Sequence, residues 1–514
     1  MSASTEKKQR QAAREAGTDR KAKAAQEAAE KQAVSRRRTV IVCAVLAVAI
    51  LLAVVFASGV LYTGTTAVSA GSGKFSPAEM NYYYLSQYQD WTNNYGSYAS
   101  IFGLDTSVGP YELKDQDCPR LEDGSWRDYF LREACDQVAQ IQGAVEYAGQ
   151  NGITLSEEEL SEIDTQLSQM ELIAQVYGYS NASHYLSANY GTGMNTRLLR
   201  EILCDSALAN AAQSQFMDTL QYSDEELEEN YASFEGSYDY FDYAYYYVQA
   251  ENAVEDGEDT GAPNEMTLLE ARMTAEAIQT SYLDDPDTED ISERLNAAVE
   301  AEFDDAEATV REHTAATSLG DLSDWLMAEH EPGDVGVVED AAGAGYFVVA
   351  FIGRDDNHYN TVSVRHILIN AEAGEDGTWS DEALEAAREE AARILAEWKA
   401  GEATEESFAA LAEQYSDDTG SNTNGGLYEN IAKHQMVDEF DAFCFGGHQP
   451  GDTDIVYGSN GSYAGYHVIY FVGEGEQYSN LLSRTALQNA AVEAWLAEIT
   501  PEYKMGPFAW LAAK

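Results

Sequence analysis

The feature that most limits how this chain can fold is an internal repeat in its second half. "YYYVQAE" (Tyr245–Glu251) returns as "HILINAE" (His366–Glu372). "LLEARMTAEAIQTSY" returns as "ALEAAREEAARILAEW", and the stretch Leu322–Arg354 returns as Glu439–Glu474. The last pair shares His-x-Pro-Gly-Asp, a short apolar run, then Gly-Tyr and a closing apolar run. Each copy therefore reads as a strand, an acidic helical stretch, a Pro-Gly turn and two closing strands, an α+β unit of about 110 residues. The copies differ where chemistry could sit. His366 stands where the first copy has Tyr245, and His467 where it has Phe347. The second copy alone carries "FAALAEQYSDDTGSNTNGGLYENIAKHQMVDEF". The first copy (237–356) reads as a spacer or binding module without catalysis, and the second (358–476) as the one with a site.

Ahead of the repeat lies a helical region, 75–235, rich in aromatics. Ser76 with Pro77 forms a helix start, and Ser156-x-x-Glu159 and Ser223-x-x-Glu226 read as capping boxes. Tyr129, Phe130, Ala134, Val138, Ile141 and Val145 recur at helical spacing. Such a stripe suits a core or a groove for unfolded peptide, and periodicity does not separate the two. The segment 477–514 reads as an amphipathic C-terminal helix packing back on that region.

Charge divides the chain further. The 514 residues hold 89 acidic and 30 basic side chains, a formal net charge of −59. Residues 1–38 run the other way, with eleven Lys/Arg against five Asp/Glu. Then Thr39–Tyr62 passes 24 residues without a charge, directly after Arg36-Arg37-Arg38. A helix of that length can span a hydrocarbon core of about 30 Å, and the basic cluster would keep the N-terminus cytoplasmic. The expectation is a single-pass protein of the cell membrane: tail 1–38, transmembrane helix 39–62, linker 63–74, and the bulk of the chain extracytoplasmic. A cleaved signal peptide ending near "VSA" before Gly71 is the competing reading. The acidic remainder argues against nucleic acid as a partner. Cys118, Cys135, Cys204 and Cys444 are too sparse for a disulfide scaffold and lack metal-site spacing, so they read as packing residues, with a Cys118–Cys135 bridge as the one pairing considered. No metal or cofactor is expected.

The chemistry lies in "VRHILI" and "GYHVIYF". Each places a histidine inside an alternating apolar run, in a chain with only eight histidines. Two neutral imidazoles on adjacent strands can hydrogen-bond each other, since each has one donor and one acceptor nitrogen. A lone strand histidine is otherwise a satisfied structural residue. With "FAALAEQYSDD", "GGLYENIAKHQMVDEFDAFCF" and "PGDTDIV" between them, in this order, the second copy resembles the parvulin family of peptidyl-prolyl isomerases. The whole chain resembles extracytoplasmic foldases of the PrsA/SurA type, and on that likeness 75–235 is a SurA-N-like chaperone domain and 237–356 a degenerate parvulin-like repeat.

The resemblance implies an antiparallel sheet with helices around it. It implies catalytic roles for His366, Asp418 and His467. Met436 and Phe440 would form the floor of a proline pocket, Leu427 its wall, and Ser462 a hydroxyl in the last loop. Taken by itself, Asp418 in "SDDTGSN" is equally a turn residue, and Met436 and Phe440 equally core. "NAEAGEDGTW" is acidic where phospho-specific members are basic, which argues against phosphoserine-proline. The implied substrates are unfolded exported polypeptides with X-Pro bonds, with membrane attachment through the N-terminal helix and a homodimer as an oligomeric option. The rival function is a membrane-anchored holdase or peptide-binding module without isomerase activity.

Overall fold

The structure is a computed structural model that describes residues 4–12, 14, 42–49, 59–255, 258–374 and 377–513. The chain divides into two compact units, residues 1–220 with 490–514, and residues 221–489.

In the first unit, helices α1 (Pro77–Tyr95), α2 (Trp126–Asn151), α3 (Glu157–Val176), α4 (Ala182–Tyr190) and α5 (Thr196–Asp218) follow one another. Their starts obey local chemistry. Ser76 accepts from Glu79 N while Glu79 accepts from Ser76 N at 2.7 Å, and Pro77 fills the first turn, where its missing N–H leaves no bond unmade. Ser125/Asp128 and Ser156/Glu159 form the same reciprocal caps. The core joins Tyr84, Trp91, Trp126 and Phe130, with Trp91 and Trp126 edge-to-face at 5.1 Å. Trp495 stacks on Phe216 at 5.0 Å and meets Tyr147 edge-on at 5.2 Å, which fastens the C-terminal segment to this unit. A small sheet of Val68–Ala70, Gly73–Phe75 and Tyr503–Met505 completes it. Cys118 and Cys135 are buried free thiols, not a bridge.

The second unit opens with α6 (Asp224–Ala232), capped by Ser223 and Glu226. Two four-stranded antiparallel sheets follow. The first is built from β1 (Tyr240–Gln249), β2 (Thr309–Ala315), β3 (Val335–Glu339) and β4 (Gly345–Asp355), in the order β2-β1-β4-β3, with helices α7 (Glu265–Asp284) and α8 (Ile291–Glu300). The second is built from β5 (Asn360–Asn370), β6 (Leu427–Ile431), β7 (Thr453–Ser459) and β8 (Ala464–Gln477), in the order β6-β5-β8-β7. Around it lie α9 (Asp381–Ala400), α10 (Glu405–Tyr415) and α11 (Asp438–Cys444). The two sheets thus share one strand order.

Alternation along β5 sends Ile367 and Ile369 to one face, where they meet α9 and α10 through Ala391, Ile394, Trp398 and Phe408. It sends Val362, Val364 and His366 to the other, where Phe440, Phe443 and Cys444 of α11 cover them. A long final helix, α12 (Tyr478–Ile499), leads out of β8.

The N-terminal expectation is corrected. Among the described residues no helix is long and apolar enough to cross a membrane. Within 39–62 the described helical pieces are residues 42–49 and Val60–Thr63. At about 1.5 Å per residue they rise roughly 12 Å and 6 Å, well short of a hydrocarbon core of about 30 Å. The rest of the run, and most of the basic tail, lies outside the described residues. A transmembrane anchor in the fold, and the single-pass membrane location built on it, are therefore withdrawn.

Candidate active site

β5 and β8 are the two central strands of the second sheet, and their register brings the histidines together. His366 lies opposite Ile469, and His467 opposite Leu368, so the imidazoles share a face as diagonal neighbours. Their Nδ1 atoms are 3.1 Å apart, and both residues are buried, at 3% and 5% exposure. A Cβ added at Gly458 of β7 would come within 2.5 Å of His467 Nε2, so the glycine leaves the room this ring occupies.

Asp418 comes from the loop after α10, and that loop is stitched to β5. Leu368 N donates to Ser416 Oγ at 3.1 Å, Asp417 N to Leu368 O at 2.9 Å, and Asn370 N to Asp417 Oδ2 at 2.9 Å. The stitching places the Asp418 carboxylate 2.9 Å from His366 Nε2. Ser421 Oγ also donates to Asp418 Oδ2, and Tyr428 O–H does so at 3.1 Å, while Gly420 N donates to Oδ1 at 3.1 Å. The bond from His366, aided by those from Ser421 and Gly420, holds this carboxyl far below the usual carboxylate range against the opposing effect of burial. Asp418 is a fixed anion.

Burial, and next the neighbouring His366, push His467 down to about 3. His366 Nε2 faces the Asp418 carboxylate and so carries the proton of that bond; in the Nε2–H tautomer of His366, Nδ1 accepts from His467 Nδ1–H. His467 Nε2 then accepts from Tyr463 O–H at 3.0 Å. Burial first, and the Asp418 charge next, raise the Tyr428 and Tyr463 phenols, which keeps both as donors. The result is a chain from Tyr463 through both imidazoles to a carboxylate.

Phe440 lies beneath this chain, 2% exposed and edge-on to both imidazoles, with centroids 5.5 Å from His366 and 5.2 Å from His467. Met436 is half-buried in the same apolar cluster, with Val364, Ile431 and Ile469. So His366, His467, Asp418, Met436 and Phe440 share one face of the sheet.

Two expected residues do not join them. Leu427 lies opposite Arg365, and cross-strand partners project to the same side, so its side chain points away from His366. The next residue, Tyr428, is the one that faces His366, with ring centroids 5.1 Å apart. Ser462 is exposed and turned inward to its own loop, its Oγ donating to Asn460 Oδ1 at 2.7 Å. The hydroxyl that reaches the site is that of its neighbour, Tyr463. Sequence reasoning passed over Ser421, Tyr428 and Tyr463. Ser421 alone had a local signal, lying three residues after Asp418 in a turn-forming stretch.

Residues 346–473 match the PPIC-type PPIase domain family. No curated protein matches the chain. Among solved structures it is similar to peptidylprolyl isomerase PrsA from Bacillus anthracis, at 19% identity and TM-score 0.18, over 28% of this chain and 58% of that one. It is also similar to foldase protein PrsA from Streptococcus pneumoniae, at 12% identity and TM-score 0.23, over 74% of this chain and 91% of that one. PrsA from Bacillus cereus matches at 14% identity and TM-score 0.18, over 74% and 87%.

Proposed function

We propose that this chain, a parvulin-type peptidyl-prolyl isomerase by its residues 346–473, acts as a foldase on X-Pro bonds of unfolded polypeptides, and that the face of Phe440 and Met436 receives the prolyl ring. The observation that carries the reading is the imidazole–imidazole–carboxylate chain laid directly over that apolar face.

Resonance sets a barrier of about 18–20 kcal/mol to rotation about a peptide bond. Lowering it needs no nucleophile. It needs a site that fits the twisted amide better than the planar one. Twisting breaks the resonance that puts negative charge on the carbonyl oxygen. A fixed carboxylate beside that oxygen repels the planar amide more than the twisted one. Asp418 would fill that role, since its hydrogen bonds keep it ionised. His366 would hold it in place, and His467 with Tyr463 would hold His366. These are positioning roles. Phe440 and Met436 would bind the ring by apolar contact, and Tyr428 would close the side. An acidic chain favours clients that are basic when unfolded.

A protease-coupled assay with full-length protein and an X-Pro tetrapeptide tests the reading. The slow phase, about 10–100 s without catalyst, should shorten in proportion to enzyme. No acceleration at micromolar protein would remove it.

A further inference from the structure

The segment between β6 and α11, residues 432–437, delivers Met436 and leads into Phe440. It is a short loop, where a chain would be expected to wander. Its own bonds are few: Ala432 N donates to Gln435 Oε1 at 3.0 Å, and His434 N to Asp441 Oδ1 at 2.9 Å. The remaining anchors come largely from the first copy of the repeat. His434 stacks on His313, which lies in a bulge where β2 pairs with β1, with ring centroids 4.0 Å apart. His313 stacks in turn on Tyr240 of β1, centroids 3.8 Å apart and planes within 6°. One residue before His434, Lys433 Nζ reaches Asp355 Oδ2 at the end of β4 at 2.8 Å. The same ammonium sits 4.0 Å over the ring of Tyr359, at the start of the second copy, and Lys433 N donates to Tyr359 Oη at 3.1 Å.

The backbone at both stacked histidines is unusual. His313 has φ +46° and His434 φ +59°, a region that side chains other than glycine enter at some cost. A strand bulge and a separate loop thus bend into the left-handed region at the two residues whose rings meet. His313 N donates to Asp242 Oδ1 at 2.6 Å, which helps fix its turn. Burial, and then His434, lower the His313 imidazole from its ordinary value, which favours the neutral ring that a stack requires.

We infer that the first copy, which lacks the paired imidazoles, serves the second as a clamp: Tyr240, His313 and Asp355 are positioning residues that hold the 432–437 loop, and with it Met436, in the shape that accepts a prolyl ring. The inference rests on the isomerase reading of that face. A clamp of this kind acts on binding. It reduces the freedom that the loop would otherwise lose on capturing substrate. It does not touch Asp418 or the imidazole pair, so the twisting step is left alone.

The test is steady-state kinetics on the full chain with an X-Pro peptide, with folding checked by circular dichroism. His313→Ala should raise KM about five-fold with kcat within about two-fold, the pattern of lost binding. His313→Phe, which keeps a flat ring, should return KM to near the wild-type value. Asp355→Asn, at the second anchor, should raise KM in the same way and carries the test if His313→Ala does not fold. Wild-type KM in folded His313→Ala and Asp355→Asn, measured beside an active wild type, would overturn the clamp while leaving the isomerase in place. An inactive wild type would instead overturn the isomerase reading.

Discussion

His366 has a partner at each nitrogen, and its neighbour His467 shows what the arrangement demands of solvent conditions. His467 is neutral in the fold, pushed down to about 3, whereas in an unfolded chain it takes up a proton near pH 6.5. The unfolded state therefore binds more protons below that pH, and stability falls as pH drops from about 6.5 toward 3. Asp418 adds to the loss lower down. Its folded value is depressed, so its contribution is present above about pH 3.9 and lost as pH falls further. Urea unfolding of wild type should lose about 2 kcal/mol more between pH 7 and pH 5 than His467→Asn does. Equal losses would contradict a buried neutral His467. At this scale the sequence was legible for a specific reason. His366 and His467 interrupt apolar runs, and the first copy holds Tyr245 and Phe347 in their places. Tyr428 and Tyr463 had no such contrast in a chain with 33 tyrosines. Ser462 was one residue away from the hydroxyl that matters, because its loop ties Ser462 to Asn460 and turns Tyr463 to His467.

Among the elements, β6 is where local rules bend most. Gly425 and Gly426, just before it, both have positive φ, and Gly426 O accepts from His366 N at 2.8 Å. A Cβ at Gly426 would fall 2.2 Å from the His366 carbonyl oxygen, which is backbone and has nowhere to go. Gly426→Ala should therefore lower stability by about 2–4 kcal/mol, read as a lower urea midpoint with unchanged slope. A midpoint matching wild type would show that β6 does not need this close approach. The repeat revealed the first and the closing strands of each copy, since their runs return in both copies and a Pro-Gly turn precedes each closing pair. It did not reveal β2 or β6. β2 is polar and largely exposed at one end, and β6 is short, with a register shift between Tyr428 and Ile431. Leu427 was placed by resemblance alone, with no strand register to say that Tyr428 and not Leu427 shares a face with His366. A strand one residue out of step exchanges its two sides.

For the whole molecule, a net charge of −59 is the dominant long-range force. Self-repulsion disfavours compact states, and salt screens it, with a Debye length of about 10 Å at 0.1 M falling to about 3 Å at 1 M. The melting temperature should rise by several degrees between low salt and 0.5 M NaCl. A fall over that range would mean that ion pairs outweigh repulsion, although most pairs on α9, such as Arg388–Glu385 and Arg393–Glu390, are exposed and individually weak. The mixed helix-and-sheet character was legible from the repeat and from helical spacing and capping boxes ahead of it. The membrane anchor was a misreading of a different kind. An uncharged run has the right length to span a bilayer, but among the described residues no helix is long and apolar enough to cross one.

The most direct test of the site is two-dimensional exchange spectroscopy on an X-Pro peptide at equilibrium with the full-length chain. Wild type should bring cis–trans exchange into the measurable range, and Asp418→Ala, folded and with His366 still paired to His467, should slow it by about a hundred-fold. Exchange as fast with Asp418→Ala as with wild type would show that the carboxylate at the end of the imidazole chain takes no part in turning the bond.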